Sequence, residues 1–248
     1  MRLAALECRR LAVRTFPWVL AALAMAWLAW AWLQGLQGFL LVQTRLAAQP
    51  DAPGFTDLVA VPLLTRLALV SWLLAPLLTM SMLAGERRNG SLATLHAAGL
   101  TPARIVLGKY LAVMLWLALL LALVLAMPLV LAGSTQLDWG KLLSASIGVL
   151  LLMAALAALG LACSAFASHP ALAAGAALIV PVLLWLANRG VRAAGERGGW
   201  LDYVAMPTHL QPLLRGLLSS RDVVYFLLIA ALALALATQR LAADRSRS

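Results

Sequence analysis

The stretch GERRNGSLATLHAAGLTPARIVLGK, residues 85–109, gathers Glu86, Arg87, Arg88, His96, Arg104 and Lys109 between segments built almost wholly of Leu, Ala, Val and Met. Side chains of these types pair as ions, anchor a segment at a membrane edge or dock on a partner. They do not form a catalytic set. The chain has no G-x-x-x-x-G-K-[ST] phosphate loop, no H-E-x-x-H and no G-x-S-x-G. His96, His169 and His209 fall in separate predicted loops, and Cys8 and Cys163 lack C-x-x-C or metal-ligand spacing. None of the nine Asp and Glu residues lies in the middle of an apolar run, where a proton relay would need one. The sequence therefore predicts no enzyme, and no cofactor or metal on this chain.

The elements that must hold the polar stretch are set by composition. The chain has 248 residues, 64% of them hydrophobic and 11% charged, with a mean hydropathy of +0.94. A soluble fold of this size keeps too much of its surface at water to hide that much apolar area. A bilayer span needs about 20 apolar residues, and unbroken Leu/Ala runs exclude the alternation of a β-barrel. The expected fold is all-α and polytopic, a single transmembrane domain over residues 1–248 with six spans near 16–42, 59–84, 106–132, 141–167, 171–188 and 222–240. The run from Phe16 to Val42 is too long for a cleaved signal peptide. Pro181 is expected to kink the short fifth span. In the fourth span, Ala154 and Ala158, and Gly160 and Ser164, have the small-x-x-x-small spacing that lets helices approach closely, a pattern an Ala-rich sequence also yields by composition.

Charge sets the expected orientation. The N-terminal segment, the 85–109 stretch and the C-terminal tail hold Arg2, Arg9, Arg10, Arg14, Arg87, Arg88, Arg104, Lys109, Arg240, Arg245 and Arg247. The other side holds Arg45, Lys141, Arg189, Arg192, Arg197, Arg215 and Arg221. The positive-inside rule puts both termini in the cytoplasm. The net charge of +10 needs no nucleic acid, since no base-stacking or helix-turn-helix pattern accompanies it. Before the first span, Leu3, Leu6 and Val13 share one helical side with Arg2, Arg9 and Arg14 towards its flanks, while Arg10 falls among the apolar residues. The reading is an interfacial helix carrying Arg9, Arg10 and Arg14, with a plain basic tail as the alternative. Arg66 is the one charge inside a span, at a depth that favours snorkelling over an anionic contact in a translocation path.

Within the polar stretch, Asn89-Gly90-Ser91 supplies a turn and a helix start. Leu92, Leu95 and Ala98 then recur at helical spacing, Gly99 ends the helix, and Thr101-Pro102 begins the next. This predicts a short cytoplasmic amphipathic helix suited to a groove on a partner.

Residues 76–112 resemble the segment that marks ABC-2-type transporter permeases, whose pattern is close to E-R-R-x-G-[ST]-L-x-x-L followed by G-K. Glu86, Arg87, Arg88, Gly90, Ser91, Leu92 and Leu95 fall on its first part, and Gly108 and Lys109 on its second. His96-Ala97-Ala98-Gly99 departs from the Leu-rich, Ser-Pro residues frequent there. Arg215-Gly216, Arg221-Asp222 and Tyr225-Phe226 resemble the R-G…R-D-x-x-Y-F pattern of the permease subgroup that serves gliding motility and nitrous-oxide-reductase maturation.

The resemblance implies a permease subunit of an ATP-driven exporter in a bacterial inner membrane. Glu86, Arg87, Arg88, Gly90, Ser91, Leu92, Leu95 and His96 would form the coupling region for a cytoplasmic ABC ATPase, present in two copies and carrying the ATP and Mg. A second permease subunit, identical or not, would complete the pathway. Residues 202–220, with His209, Arg215, Gly216, Arg221 and Asp222, would form an outer re-entrant gate. The other readings are a membrane scaffold in a motility or assembly complex and an ATP-independent channel; the latter has no need of a docking helix. The spans offer few hydrogen-bonding groups, which points to lipidic or amphipathic cargo. Trp27, Trp30 and Trp32 suit either such cargo or interface anchoring. The outward arginines Arg189, Arg192 and Arg197 suit anionic headgroups or a periplasmic accessory protein.

Overall fold

The computed structural model describes residues 2–46, 53–90, 99–133, 135–193 and 203–245. Described residues form helices and short connections only. In chain order they are α1 (Arg2–Val13), α2 (Thr15–Leu46), a π-helical turn (Thr56–Ala60) leading into α3 (Val61–Thr79), α4 (Ala84–Arg88), α5 (Pro102–Val130), α6 (Trp139–Phe166), α7 (Pro170–Ala193), α8 (Met206–Leu214) and α9 (Ser220–Arg245).

Five segments among the described residues are long and apolar enough to cross a membrane: Thr15–Thr44, Thr56–Arg88, Pro102–Val130, Trp139–Phe166 and Ser220–Asp244. The segment expected as a fifth of six spans, 171–188, is a helix that runs unbroken through Pro181, but its apolar described part is only Pro170–Leu184. It packs against α4 at one end of the bundle and α8 at the other.

Helix α6 is the axis of the bundle and its most buried span; α3, α5, α7, α8 and α9 all pack on it. Its small side chains make this possible. Ala145, Gly148, Ala155, Ala157, Ala158, Gly160, Ser164 and Ala165 are all buried. At Gly160 the approach of α3 is closest, and a Cβ there would lie 2.1 Å from Thr79 Oγ1. The outer stripes are left to lipid: Leu107, Leu111, Leu115, Leu119 and Leu123 repeat every four residues along α5 and are all exposed.

Two local expectations change. The helix of the second span, expected to run to residue 84, breaks after Thr79 and turns before α4 begins, within a crossing segment that continues to Arg88. Ser164 Oγ on α6 accepts the backbone N–H groups of Leu83 (3.1 Å) and Ala84 (3.0 Å) and donates to the Met80 carbonyl (3.0 Å). A tertiary hydroxyl thus restarts the helix where the sequence runs on as apolar. Arg66 does not snorkel outward: its Nη1 donates to the Ala31 carbonyl of α2 at 2.8 Å, fastening α2 to α3.

Candidate functional site

Two clusters of polar side chains lie at opposite ends of the bundle. At the first end, α1 turns Glu7 and Leu11, one helical turn apart, toward α5. Leu6 and Val13, expected on the face of α1 that meets the membrane, are exposed, and Arg9, Arg10 and Arg14 lie on the exposed side as well. Helix α5 answers with Lys109, 1% exposed. Lys109 Nζ lies 2.7 Å from Glu86 Oε1 of α4 and 3.3 Å from Glu7 Oε1. Arg10 Nη1 closes the group at 3.2 Å from Glu7 and 3.4 Å from Glu86. Two carboxylates and two cations therefore join α1, α4 and α5.

Such a group is costly to desolvate, and it holds only because each charge is matched. Beside it, burial and then the neighbouring Glu7 raise the Cys8 thiol above its ordinary value, the opposite of an activated nucleophile. The same short helix is held on its far side. Arg87 donates to the Ala167 carbonyl after α6 at 3.1 Å and pairs with Asp244 of α9. Asp244 also meets Arg240 at 3.4 Å. Helix α4 is thus tied to α1, α5, α6 and α9 within five residues.

Of the residues expected to couple this end to a partner, Glu86 and Arg87 sit inside this network, while Arg88 and Gly90 are exposed. Ser91, Leu92, Leu95 and His96, with the whole expected helix 91–98, lie outside the described residues. Gly90 and Gly99, which flank that segment, both have positive φ (70° and 75°). Thr101 takes the extended N-cap conformation ahead of Pro102, although its hydroxyl caps nothing. Glu7 and Asp244 carry the network and were not singled out from sequence. The available signal for Glu7 was a single acid among arginines, which needs a partner if its helix face is buried.

At the opposite end, Gly148 lets α8 lie against the α6 backbone, since a Cβ there would meet Leu213 Cβ at 2.8 Å. Ser144 Oγ donates to the Leu213 carbonyl at 2.8 Å. Helix α8 carries His209, 1% exposed. His209 Nδ1 lies 2.7 Å from Asp222 Oδ1 at the start of α9, and Nε2 lies 2.8 Å from the Tyr203 carbonyl. Both ring nitrogens therefore have an oxygen partner. Tyr225 stacks on the ring with centroids 3.9 Å apart, and its hydroxyl donates to the Val204 carbonyl. Arg221 lies over the Tyr203 ring at 4.5 Å.

Gly216 turns the chain after α8 with φ +91°, and a Cβ there would meet Lys141 Cγ at 2.8 Å. Lys141 pairs with Asp57 at 3.0 Å, and Thr56 Oγ1 accepts the Asp138 N–H at 2.9 Å. Of the residues expected at this end, His209 and Asp222 make one direct pair, Arg221 and Gly216 brace its approaches, and Arg215 is exposed. Arg189, Arg192 and Arg197 lie where no side chain is described.

The His209–Asp222 pair is the strap between α8 and α9. Asp222→Ala is expected to remove a charge-assisted buried bond and cost about 1.5–3 kcal/mol. Limited proteolysis should then cut within residues 203–219 in the variant and spare the wild type; equal cleavage would show that the strap does not hold this segment.

The described residues thus form a central small-residue span ringed by apolar helices, with a charged network around the helix that leads into residues 91–98. Residues 44–187, more than half of the chain, match the family described as "ABC-2 family transporter protein". The chain belongs to the ABC-2 transporter family. No curated protein matches it. This ABC-2 permease is a multi-pass membrane protein, the transmembrane component of an ABC transporter. The matched segment of the permease includes Glu86 and Lys109 but neither Glu7 nor the His209–Asp222 strap. Among its described residues, no three His, Cys, Asp or Glu side chains gather to hold a metal ion.

Proposed function

We propose that this permease converts ATP binding and hydrolysis on two copies of a separate cytoplasmic ABC ATPase into movement of its helices, exporting an amphipathic substrate across a bacterial inner membrane. It works as a pair of permease subunits. α7 serves as the remaining span, fifth in chain order: 24 residues at 1.5 Å each reach about 36 Å, and the excess of Arg and Lys at the Glu86 end favours a cytoplasmic place for that end and both termini. Arg215-Gly216, Arg221-Asp222 and Tyr225-Phe226 favour the gliding-motility and nitrous-oxide-reductase-maturation subgroup, with the α8 segment as outer gate.

The observation that carries this reading is the binding of α4. The residues that follow it, 91–98, have the spacing of a docking helix, and α4 passes any displacement of them to four other helices through ion pairs and hydrogen bonds. Elements this firmly connected move as rigid bodies rather than deform. ATP and Mg would reside on the partner; this chain supplies the lever.

Leu92→Asp with Leu95→Asp tests it. An ABC ATPase should co-purify with the wild type in mild detergent and be lost from the double variant, whose thermal unfolding stays unchanged. Absence of any ATPase from the wild-type preparation, under conditions that preserve other membrane complexes, would overturn the reading. ATPase stimulation by cargo separates transport from a scaffold role.

A further inference from the structure

A groove of about 680 Å³ opens between α1 and α4, beside the Glu7–Lys109–Glu86 network and sharing Arg10 and Glu86 with it. Arg9, Arg10 and Arg14 line one wall, and Ser81 and Asn89 stand on the other. Its charge is unbalanced. Glu86 enters the lining but is already matched by Lys109 and Arg10. Among the described residues, Arg9 and Arg14 pair with no carboxylate, and both are exposed. The rim is apolar: Leu6 is 58% and Val13 77% exposed.

Position narrows the occupant. Helix α1 ends one residue before α2, whose membrane-crossing stretch starts at Thr15, and the far wall belongs to the last residues of the second crossing segment. The groove therefore sits where acyl chains give way to headgroups. Two unmatched guanidinium groups at that level, with apolar side chains beside them, are complementary to a phosphate whose chains run past Leu6 and Val13. We propose that this groove binds the headgroup phosphate of an anionic phospholipid, held by Arg9 and Arg14 with Arg10 at its inner edge. The bound lipid would brace α1 against α4. The inference rests on membrane insertion of the chain and not on the coupling role of residues 91–98.

The test uses the full chain purified in neutral detergent, with binding of phosphatidylglycerol, phosphatidylcholine and soluble glycerol phosphate read by native mass spectrometry and by the shift in Tm. Phosphatidylglycerol should bind at least about tenfold more tightly than phosphatidylcholine, and glycerol phosphate should give no shift. Arg9→Gln with Arg14→Gln, which spares the Arg10 ion pairs, should weaken phosphatidylglycerol about thirtyfold, at roughly 1 kcal/mol per arginine. Arg104→Gln, an exposed arginine at the same end but outside the groove, should change it less than about threefold. Equal binding of the two lipids by the wild type overturns the proposal, and this arm stands even if the double variant does not fold. Undiminished binding by a folded double variant overturns it too. Glycerol phosphate shifting Tm as much as phosphatidylglycerol would mean a soluble-anion site and would equally defeat the lipid assignment.

Discussion

Replacing Lys109 with Met is expected to lower the stability of the folded bundle by about 3–5 kcal/mol, because it strands Glu7 and Glu86 in a site built to neutralise them. Lys109 is almost wholly buried, and its ammonium lies within 3.3 Å of both carboxylates. Arg10 cannot take its place: its guanidinium is on the exposed side, and one cation would face two acids. Met keeps the length of the side chain, so packing changes little and the loss is electrostatic. Unfolding in a titration from mild detergent into SDS should show it. The companion variant Lys109→Met, Glu7→Gln, Glu86→Gln should recover most of the loss, because replacing a whole buried ion group costs far less than breaking it. A Lys109→Met protein as stable as wild type would mean that water reaches the site and screens it. The network would then be too soft to transmit force from α4.

The second large effect is steric. Gly160→Ala puts a Cβ 2.1 Å from Thr79 Oγ1 and 3.1 Å from Thr79 Cβ. Thr79 cannot swing clear cheaply, since its hydroxyl donates to the Ala75 carbonyl at 2.8 Å and its β-branched side chain has few open rotamers. The expected cost is about 1–3 kcal/mol for overpacking, with α3 pushed off α6. Thr79→Ala removes the closer of the two contacts, so the pair Gly160→Ala, Thr79→Ala should regain part of the loss. The double-mutant cycle in SDS titration should give a coupling energy above about 0.5 kcal/mol. Strict additivity would show that the helices relax independently there.

Much of this architecture is legible in the chain. Apolar runs of 20 residues and more locate the long helices, because a bilayer leaves a backbone few ways to satisfy its own polar groups. Gly160 and Ser164 mark the packing face of α6, although Ser164 proves more than small: it caps the restart at Ala84. The polar stretch at 85–109 declares itself by interrupting the hydrophobicity, and Arg221-Asp222 and Tyr225 stand out only by resemblance to a permease-subgroup pattern. What stayed hidden is pairing. Arg10 pairs with Glu7 from three positions on, but nothing in the sequence indicates that Lys109, 102 positions away, lies against it too, and Asp244 meets Arg87 across 157. Arg66 reads as a snorkelling side chain until the Ala31 carbonyl is found beside it.

Local composition dictates a membrane-embedded helical bundle, the order of its long helices and the place of the polar stretch at 85–109. These follow from local composition, since transfer of a side chain between water and lipid depends on that side chain and its neighbours along the chain. Packing in three dimensions makes α6 the axis, locks α4 to four helices and buries His209 against Asp222 and Tyr225. Inside an apolar bundle a charge or hydrogen-bonding group is stable only against a partner within about 3 Å, and distance in space is set by how the helices pack together.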